Sequence, residues 1–484
     1  MNTTTSCLAR LGTLYALVTW PSVAFAQQGK DMVRSAIDRQ AERYGEIAQQ
    51  IWDLAEVGYQ EERSAGLLQA TLQSAGFSIE AGVAGMPTAF IASYGEGEPV
   101  VGILAEYDAL PGITQDRVPE RSLLSEKAAG HACGHHLFGT GSTAAAIAVK
   151  EWLETTETSG TIRLYGTPAE EGGAGKVYMV RAGLFDDVDV VLHWHPGDEN
   201  SAAVHSTLAN KSAKFRFRGV SAHAAAAPER ARSALDGVEA MNYMVNMMRE
   251  HVPQETRIHY VITSGGSAPN VTPDFAEVFY YVRHPDPQEV LEIFERVAKA
   301  AEGAALGTGT TMEYEVIHGA YALLPNETLA RVMHANLEEV GGVEYDDEER
   351  RFAERLRASL PEGSPPLESA AKVAPFGVYG AIPASTDVSD VSWVVPTVGL
   401  TAATWVPGTA AHSWQAIAAG GTSIGAKGLL VAAKTMAMTA VDLFTDPDLV
   451  AAAREEHERR VGPDFVYRPM VGDRDPPLDY RKKP

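Results

Sequence analysis

Pro99-Val100-Val101-Gly102-Ile103-Leu104-Ala105 is a nearly continuous apolar run that ends abruptly in the polar Glu106-Tyr107-Asp108. A strand that is apolar on both faces belongs in a sheet that is covered on both sides. The stretch therefore predicts an α/β fold in which helices lie on both faces of the central sheet.

Two more apolar strands follow the same plan. Residues 161–165 run into Gly166-Thr167-Pro168-Ala169-Glu170-Glu171, and residues 188–192 run into His193-Trp194-His195. In open α/β sheets, ligands bind at the carboxyl ends of the strands. We therefore expect these acids and histidines to meet in space, although they are far apart in the sequence.

A cysteine lies among three histidines in Ala129-Gly130-His131-Ala132-Cys133-Gly134-His135-His136. Thiolate and imidazole together suit zinc or a similar divalent ion. Any one of these histidines, taken alone, could instead belong to a glycine-rich turn and bind no metal. Together with Glu171, His195 and His412, the cysteine and His135 supply enough ligands for two divalent ions that share the thiolate.

The same set suggests a division of labour. Glu170, kept off the metals, would be the general base toward a metal-activated water and then the general acid toward the leaving amine. Asp108 is a candidate to orient a ligand imidazole. His193 and His195 point to one side of an extended segment, and His195 is preferred as the ligand because it lies nearer the predicted cleft. Hydrolysis of an amide or peptide-like bond suits this set.

The pattern changes at about residue 211, where strand, helix, two strands, helix and strand follow up to residue 320. That is the order of a small α+β sandwich inserted into the first domain. An alanine-rich helix over residues 417–444 closes the core of the first domain. The predicted parts are a signal peptide at 1–26, the catalytic domain at 27–210 and 321–450, the inserted domain at 211–320, and a C-terminal tail at 451–484.

Composition and charge narrow the classes of partner. With 45% hydrophobic and 21% charged residues, the chain is typical of a globular protein, and its net charge of -23 argues against nucleic acid or an anionic membrane. Arg10, an apolar run over 11–23 and Ala24-Phe25-Ala26 resemble a cleaved export signal. The run is shorter than the ~20 residues of a membrane span, so a periplasmic or secreted protein without membrane insertion is predicted.

Five motifs, in this order, resemble the aminoacylase and carboxypeptidase superfamily of metallopeptidases, and within it the amidohydrolase branch of the aminobenzoyl-glutamate hydrolase type. They are Glu106-Tyr107-Asp108-Ala109-Leu110-Pro111, Ala132-Cys133-Gly134-His135, Glu170-Glu171, Trp194-His195-Pro196 and Ala411-His412-Ser413-Trp414. The resemblance implies a zinc-peptidase-like catalytic domain with a mixed sheet, interrupted by a ferredoxin-like lid through which two chains form a homodimer.

The resemblance also implies roles for residues of the catalytic domain. Cys133 would bridge two ions, with Glu171 and His412 on one ion and His135 and His195 on the other. Glu170 would match the catalytic base. Glu106 stands where the wider superfamily has a metal-binding histidine, so it is not counted as a ligand.

Three lid residues match positions that act on the substrate in the resembling proteins. His223, in Gly219-Val220-Ser221-Ala222-His223-Ala224-Ala225, would reach the partner subunit's active site and stabilise the developing oxyanion. Asn270 and Arg283 would hold the carboxylate or carbonyl of an N-acyl amino acid. His136 departs from the aspartate that is usual in relatives acting on auxin conjugates and hippurate, which weakens the transfer of their substrate range.

The main hypothesis is an exported, homodimeric, two-metal amidohydrolase that cleaves a small N-acyl or N-aroyl amino acid or a dipeptide-like amide. Zn²⁺ is favoured, with Mn²⁺ or Co²⁺ as alternatives. The first alternative function is a cysteine hydrolase that uses Cys133. The second is a catalytically silent subunit or binding protein on the same fold, against which Glu170 and the full ligand set argue, because a binding protein needs no general base.

Overall fold

The structure is a computed structural model that describes residues 19–482 of the chain. Most of the predicted signal peptide, residues 1–18, lies outside this range. The predicted cleavage point after Ala26 falls inside the first helix, α1 (Thr19–Arg39). The export signal therefore stays a prediction.

The described chain alternates strands and helices before, within and after the lid. The strands are β1 (Ser78–Ala81), β2 (Phe90–Glu96), β3 (Val100–Ala105), β4 (Leu110–Pro111), β5 (Ala129–Gly130), β6 (Gly160–Gly166), β7 (Val190–Gly197), β8 (Val204–Ser206), β9 (Ala209–Arg218), β10 (Arg257–Ser264), β11 (Phe275–His284), β12 (Thr311–Ala320), β13 (Val378–Ala381) and β14 (Thr397–Ala403). The remaining α-helices are α2 (Ala41–Leu54), α3 (Glu62–Ser74), α4 (His135–Thr156), α5 (Gly175–Arg181), α6 (Ala234–Met248), α7 (Pro287–Thr308), α8 (Glu327–Val340), α9 (Asp347–Arg357), α10 (Val388–Ser392), α11 (Trp414–Gly420), α12 (Ser423–Thr445) and α13 (Pro447–Val461).

The catalytic domain is built on a six-stranded mixed sheet in the order β1-β2-β6-β3-β7-β14. Strands β6, β3, β7 and β14 run parallel to one another, whereas β1 and β2 pair antiparallel at the far edge. Every residue of β3 is buried, as its apolar run predicts. The mixed α/β fold is therefore confirmed.

Helices α4 and α12 pack against each other and against the sheet. Within the described residues, α12 is also the one helix long and apolar enough to cross a membrane. Its most apolar stretch is 78% buried in the protein, where it contacts α1, α4 and α8. Packing in the core accounts for its apolar composition.

The lid is a four-stranded antiparallel sheet in the order β10-β11-β9-β12, with α6 and α7 packed on one face. It has a hydrophobic core of its own, which includes Phe215, Tyr280 and Phe294. Strand, helix, two strands, helix and strand in this spatial order form a ferredoxin-like sandwich. Strand β10 lies at one edge of the sheet.

Two helices differ from the predicted pattern near the C-terminus. The predicted helix over 417–444 is divided into α11 and α12, because the Thr422 side chain accepts a hydrogen bond from the backbone N–H of Ile424 and caps a new helix. Helix α13 spans residue 450, where the predicted catalytic domain gives way to the tail.

Candidate metal centre

The parallel strands deliver polar residues to one edge of the sheet. Strand β3 ends at Ala105, directly before Glu106 and Asp108, and the loop after β6 carries Glu170 and Glu171. Helix α4 begins at the same edge, two residues after Cys133. This is the edge at which ligands bind in open α/β sheets.

Two groups of side chains at this edge could each hold a metal ion, and Cys133 belongs to both. The first is Cys133, His135 and His195, and the second is Cys133, Glu171 and His412. Within each group the ligand atoms lie within 4.8 Å of one another. The five residues assigned as ligands from the sequence thus lie together around one thiol, the arrangement that two ions sharing a bridging ligand require.

Buried atoms without hydrogen bonds test whether these residues fit a metal. Nε2 of His135 and Oε1 of Glu171 are buried and make no hydrogen bond of good geometry. They lie 3.1 Å from Glu106 Oε2 and from His412 Nε2, respectively. Buried polar atoms are rarely left unpaired, so divalent cations fit this set of donors.

His195 is oriented for the same purpose. Its Nδ1 donates a hydrogen bond to the carbonyl of Pro196 at 2.7 Å, which leaves the lone pair on Nε2. That Nε2 lies 3.5 Å from Cys133 Sγ. Burial, followed by the charge of Glu171, raises the pKa of the Cys133 thiol.

Asp108 holds two of the candidate ligands at once. Its Oδ1 lies 2.8 Å from His135 Nδ1, and its Oδ2 accepts the backbone N–H of Glu171 at 2.9 Å. Desolvation would raise the pKa of this buried carboxyl, but the charge and hydrogen bond of His135 outweigh it and lower the pKa. Asp108 therefore orients His135 so that Nε2 faces the cluster.

Glu170 lies beside the cluster rather than within the two groups around Cys133. It forms a third close group with Glu106 and His135. Desolvation, followed by the charges of Glu106 and Glu171, raises the pKa of Glu170 well above its usual value. Ala169, at φ +58°, turns the backbone of the loop so that both adjacent glutamates reach the same cleft.

The other histidines near the cluster have structural contacts. His131 Nε2 lies 3.0 Å from the carbonyl of Ile51, and His136 Nε2 lies 3.0 Å from that of Gly420. Burial lowers the pKa of His136 to about 3, so this imidazole is neutral. His193 lies against Gly399, where an added Cβ would come within 2.3 Å of the imidazole. His131 and His136 are thus the incidental histidines of the glycine-rich turn.

The sequence analysis missed a buried ion network behind the cluster. The Nζ atom of Lys176 lies 2.6 Å from Glu106 Oε1 and 2.7 Å from Asp387 Oδ1, and all three side chains are buried. Desolvation lowers the pKa of Lys176, but Asp387 and Glu106 outweigh it and raise the pKa. Glu106 could have been suspected from its place after β3, whereas nothing in the sequence connects Asp387 to it.

The three lid residues lie apart from this cluster. Among residues 19–482, no hydrogen bond or ion pair joins His223, Asn270 or Arg283 to the candidate ligands. His223 is exposed, and its Nδ1 accepts the backbone N–H groups of Ala225 and Ala226 at 3.2 Å. The backbone N–H of Ala224 donates to the Asn270 carbonyl at 3.0 Å, so His223 and Asn270 lie on adjoining loops.

Residues 102–364 match the family described as Peptidase family M20/M25/M40. The chain belongs to this family. It is 43% identical to a subunit of the p-aminobenzoyl-glutamate hydrolase of Escherichia coli over 88% of the chain and 94% of that protein. It is 31% identical to the Xaa-Arg dipeptidase of Mus musculus over 87% of the chain and 90% of that protein.

Solved structures of the M20 family share the fold. A dinuclear metal-binding M20 peptidase from Bacillus subtilis superposes with a TM-score of 0.55 at 18% identity, covering 84% of this chain and 99% of that one. Family membership makes the chain a hydrolase of peptide or amide bonds. The groups around Cys133 make it a metal-dependent one.

Proposed function

We propose that this M20 protein hydrolyses the amide bond of N-acyl or N-aroyl amino acids of the aminobenzoyl-glutamate type, or of dipeptide-like amides. The observation that carries the proposal is Glu170 standing beside two ligand groups that share Cys133. The names of the relatives support the substrate class, since one is named for p-aminobenzoyl-glutamate and another is an Xaa-Arg dipeptidase.

The residues of the chain divide the work of hydrolysis. Cys133, His135, Glu171, His195 and His412 would hold two divalent ions, with zinc favoured by the thiolate and imidazole donors. Such ions act as Lewis acids that polarise a carbonyl oxygen and make water more acidic. Glu170 takes the proton of the attacking water and delivers it to the amine nitrogen that leaves.

Arg283 supports a substrate with a free carboxylate. Among the described residues its guanidinium has no ion-pair partner, and its buried Nε makes no hydrogen bond. The guanidinium lies 5.4 Å from the ring of Tyr281, and Asn210 is its cross-strand neighbour on β9. A carboxylate would satisfy this unpaired cation through two parallel hydrogen bonds.

A homodimer through the lid completes the proposal. His223 Nδ1 accepts two backbone N–H groups, so Nε2 carries the proton of the neutral ring and is left to donate to an oxyanion. The outer face of α6 and the edge strand β10 expose large apolar side chains next to each other, among them Tyr243, Met247, Tyr260 and Ile262. Such a patch and a free sheet edge favour pairing with a second chain.

The alternatives make different demands on the same residues. A cysteine hydrolase would use Cys133 as a nucleophile and would have no need of His412 or Glu171 beside it. The p-aminobenzoyl-glutamate relative is named as a subunit, which keeps open a form of this protein that works with a second kind of chain. Export through the N-terminal segment is also part of the proposal, and the mass of the mature protein recovered from the periplasm tests it.

The substrate class and the base are tested together. We expect the purified protein to hydrolyse members of a panel of aminobenzoyl-glutamate, hippurate, an indoleacetyl amino acid and several dipeptides. Glu170→Gln should keep the metal content and lower kcat by ~100-fold or more, the usual contribution of a general base. Glu171→Gln is the matched control and should lose metal. Full activity of Glu170→Gln would contradict the assignment of the base.

The role of His223 across the dimer has a direct test. Glu170→Gln and His223→Ala chains, each nearly inactive alone, are mixed and allowed to exchange subunits. Half of the dimers become mixed and each of these has one intact site, so about a quarter of the wild-type activity per chain should return. If His223 acts within its own chain, no activity returns on mixing.

A further inference from the structure

The chain continues after α13 in a C-terminal tail, residues 462–482, that contains neither helix nor strand but is fixed to the protein along its length. The hydroxyl of Tyr467 donates to the buried carboxylate of Asp390 at 2.7 Å. Arg181 Nη1 donates to the carbonyls of Gly472 and Arg474 at 2.9 and 2.7 Å. These contacts give the C-terminal tail a defined path over the catalytic domain.

The C-terminal tail also passes between the lid and the catalytic domain. Met470 is 2% exposed and belongs to the hydrophobic core of the lid, whereas Val471 is 4% exposed and belongs to that of the catalytic domain. Gly319, at the end of β12, leaves room for it, since an added Cβ there would lie 2.6 Å from Met470 Cβ. The tail is thus packed as part of the fold.

The end of the C-terminal tail reaches the loop that carries the two glutamates. The hydroxyl of Tyr480 donates to the carbonyl oxygen of Glu171 at 3.1 Å, and Arg481 Nη2 donates to the same oxygen at 2.7 Å. The guanidinium of Arg481 lies 4.8 Å from the ring of Tyr480. Two side chains from the last described residues thus converge on one peptide group of the metal cluster.

The side chain of Tyr480 is held by specific contacts with residues 58–60 of the catalytic domain. Its ring meets that of Tyr59 edge to face at 5.7 Å, and Gln60 Nε2 donates to the carbonyl of Leu478 at 2.9 Å. A Cβ at Gly58 would lie 2.2 Å from the Tyr480 hydroxyl, so this contact requires the glycine. Burial, followed by the charge of Asp108, raises the pKa of Tyr480, and its hydroxyl stays protonated as a donor.

The remaining anchors of the glutamate loop all come from the catalytic domain. Asp108 accepts the backbone N–H of Glu171, Glu61 accepts that of Ala169 at 2.9 Å, and Tyr59 donates to the carbonyl of Gly173 at 2.8 Å. Among the described residues, the Glu171 carbonyl has hydrogen bonds only from the C-terminal tail. The backbone of this candidate ligand is therefore fixed on both sides, at its N–H by Asp108 and at its C=O by the tail.

We propose that Tyr480 and Arg481 are positioning residues for the amide hydrolysis, and that they fix the Glu171 peptide so that Glu170 and Glu171 keep their directions. The proposal rests on the proposed function for its effect on turnover. The hydrogen bond from Arg481 is charge-assisted and the stronger of the two. Because small misplacements of catalytic groups can cost up to ~100-fold in rate, loss of these donors should lower kcat by about ten- to a hundred-fold and leave KM unchanged.

Point variants test the two donors without removing the C-terminal tail. Tyr480→Phe keeps the ring on Tyr59 and removes only the hydroxyl, and Arg481→Ala removes the charged donor. Lys482→Ala is the matched control, since among the described residues the Lys482 side chain pairs only with the exposed Asp479, at 2.7 Å. Arg481→Lys keeps a cationic donor and should recover part of kcat. The measurements are kcat, KM, the unfolding temperature, and the visible absorption spectrum of the cobalt-loaded protein.

The proposal predicts that Arg481→Ala lowers kcat, alters the cobalt spectrum through Glu171, and speeds hydrogen exchange in the loop around Gly172, with an unfolding temperature like that of Lys482→Ala. A Tyr480→Phe/Arg481→Ala double variant with wild-type kcat and spectrum would overturn it. The proposal would also be overturned if kcat fell only in variants whose unfolding temperature is lowered to a matching degree. Should the wild type hydrolyse no substrate, the proposed function fails, while the spectrum and the exchange rates still decide the role of the tail.

Discussion

Lys176 is a buried cation that joins two buried carboxylates, Glu106 and Asp387. Removing one member of a buried ionic group leaves uncompensated charge in a medium of low dielectric constant, which costs more than the group contributed when complete. The network lies directly behind His135, whose Nε2 is 3.1 Å from Glu106. Stability and the shape of the metal centre therefore depend on the same lysine.

We expect Lys176→Met to lower the free energy of unfolding by about 3–5 kcal/mol, because Glu106 and Asp387 lose their shared counter-ion. Urea denaturation measures the change. The control is Arg350→Met, which removes the exposed ion pair between Arg350 and Glu368 and should change stability little. Equal changes in the free energy of unfolding for the two substitutions would show that the buried ion network contributes no more to stability than an exposed ion pair.

For individual residues, the sequence shows which segments carry metal ligands better than it shows which of several neighbouring histidines is the ligand. Cys133, His135 and Glu171 were placed by the strands and the helix that precede or follow them. The resemblance singles out His135 as the ligand, but the residue pattern alone does not distinguish it from His131 and His136. The partners of His131 and His136 are the carbonyls of Ile51 and Gly420, which come from distant segments. Only the folded chain shows which imidazole is already satisfied.

Among the elements, α6 and β10 form the surface that the proposed homodimer uses. Tyr243 and Met247 are 69% and 52% exposed on α6, and the side chain of Asn246 donates to the hydroxyl of Tyr260 on β10. The helix and the edge strand thus present one continuous apolar face. A second copy of the chain could bury this face and extend the sheet across β10.

We expect Tyr243→Arg/Met247→Arg to convert the dimer into a monomer, because the partner would have to bury two unpaired cations. Light scattering coupled to gel filtration measures the mass. Leu123→Arg is the matched control, since Leu123 is 65% exposed in the catalytic domain, outside the lid, and its replacement should leave the dimer intact. A wild type that is monomeric, or a double variant that stays dimeric, contradicts the assigned interface.

The ends of the core strands and the order of strands and helices in the lid could be predicted from the sequence. Buried strands, alternating strands and amphipathic helices each have a distinct pattern of apolar residues. The break between α11 and α12 was missed, since alanine-rich residues continue on both sides of Thr422 and only its capping hydrogen bond marks the new start. The path of the C-terminal tail had no signal either. Its contacts through Met470 and Tyr480 depend on room that Gly319 and Gly58 leave in the folded protein.

Across the protein as a whole, buried carboxyls make stability depend on pH. Burial raises the pKa of Asp390 to about 7, although Tyr467 and the backbone of Tyr321 donate to it, and burial raises the pKa of Glu61 to about 8. Between the unfolded value near 4 and these folded values, the folded protein binds protons that the unfolded chain releases. Stability from these groups is therefore fully present below about pH 4 and is lost as the pH rises toward 7 and 8.

We expect Asp390→Asn to remove one part of this dependence. In the wild type the free energy of unfolding should fall between pH 4 and pH 7 with a contribution from Asp390 of up to about 1.4 kcal/mol per pH unit. Urea denaturation of metal-loaded wild type and variant at several pH values measures the difference in slope. Parallel curves for the two proteins would show that Asp390 titrates at the same pH in the folded and unfolded states.

The convergence of distant segments on one sheet edge is the feature on which the proposed chemistry depends. It follows from parallel strands, which bring Asp108, Glu171 and His195 together from separate parts of the sequence. His412 joins them through its backbone N–H, which donates to the carbonyl of Ala132 at 2.9 Å. Everything proposed about catalysis requires that these side chains hold metal.

The metal content of the purified chain, measured by plasma mass spectrometry, decides whether they do. We expect about two divalent ions per chain, loss of hydrolysis on chelation, recovery on adding the metal back, and a reduced metal content in Cys133→Ser, since the thiolate is shared by both groups. A wild-type protein that cleaves amides with no bound divalent ion, or a Cys133→Ser variant that keeps both ions and full activity, would show that this sheet edge is not the metal centre described above.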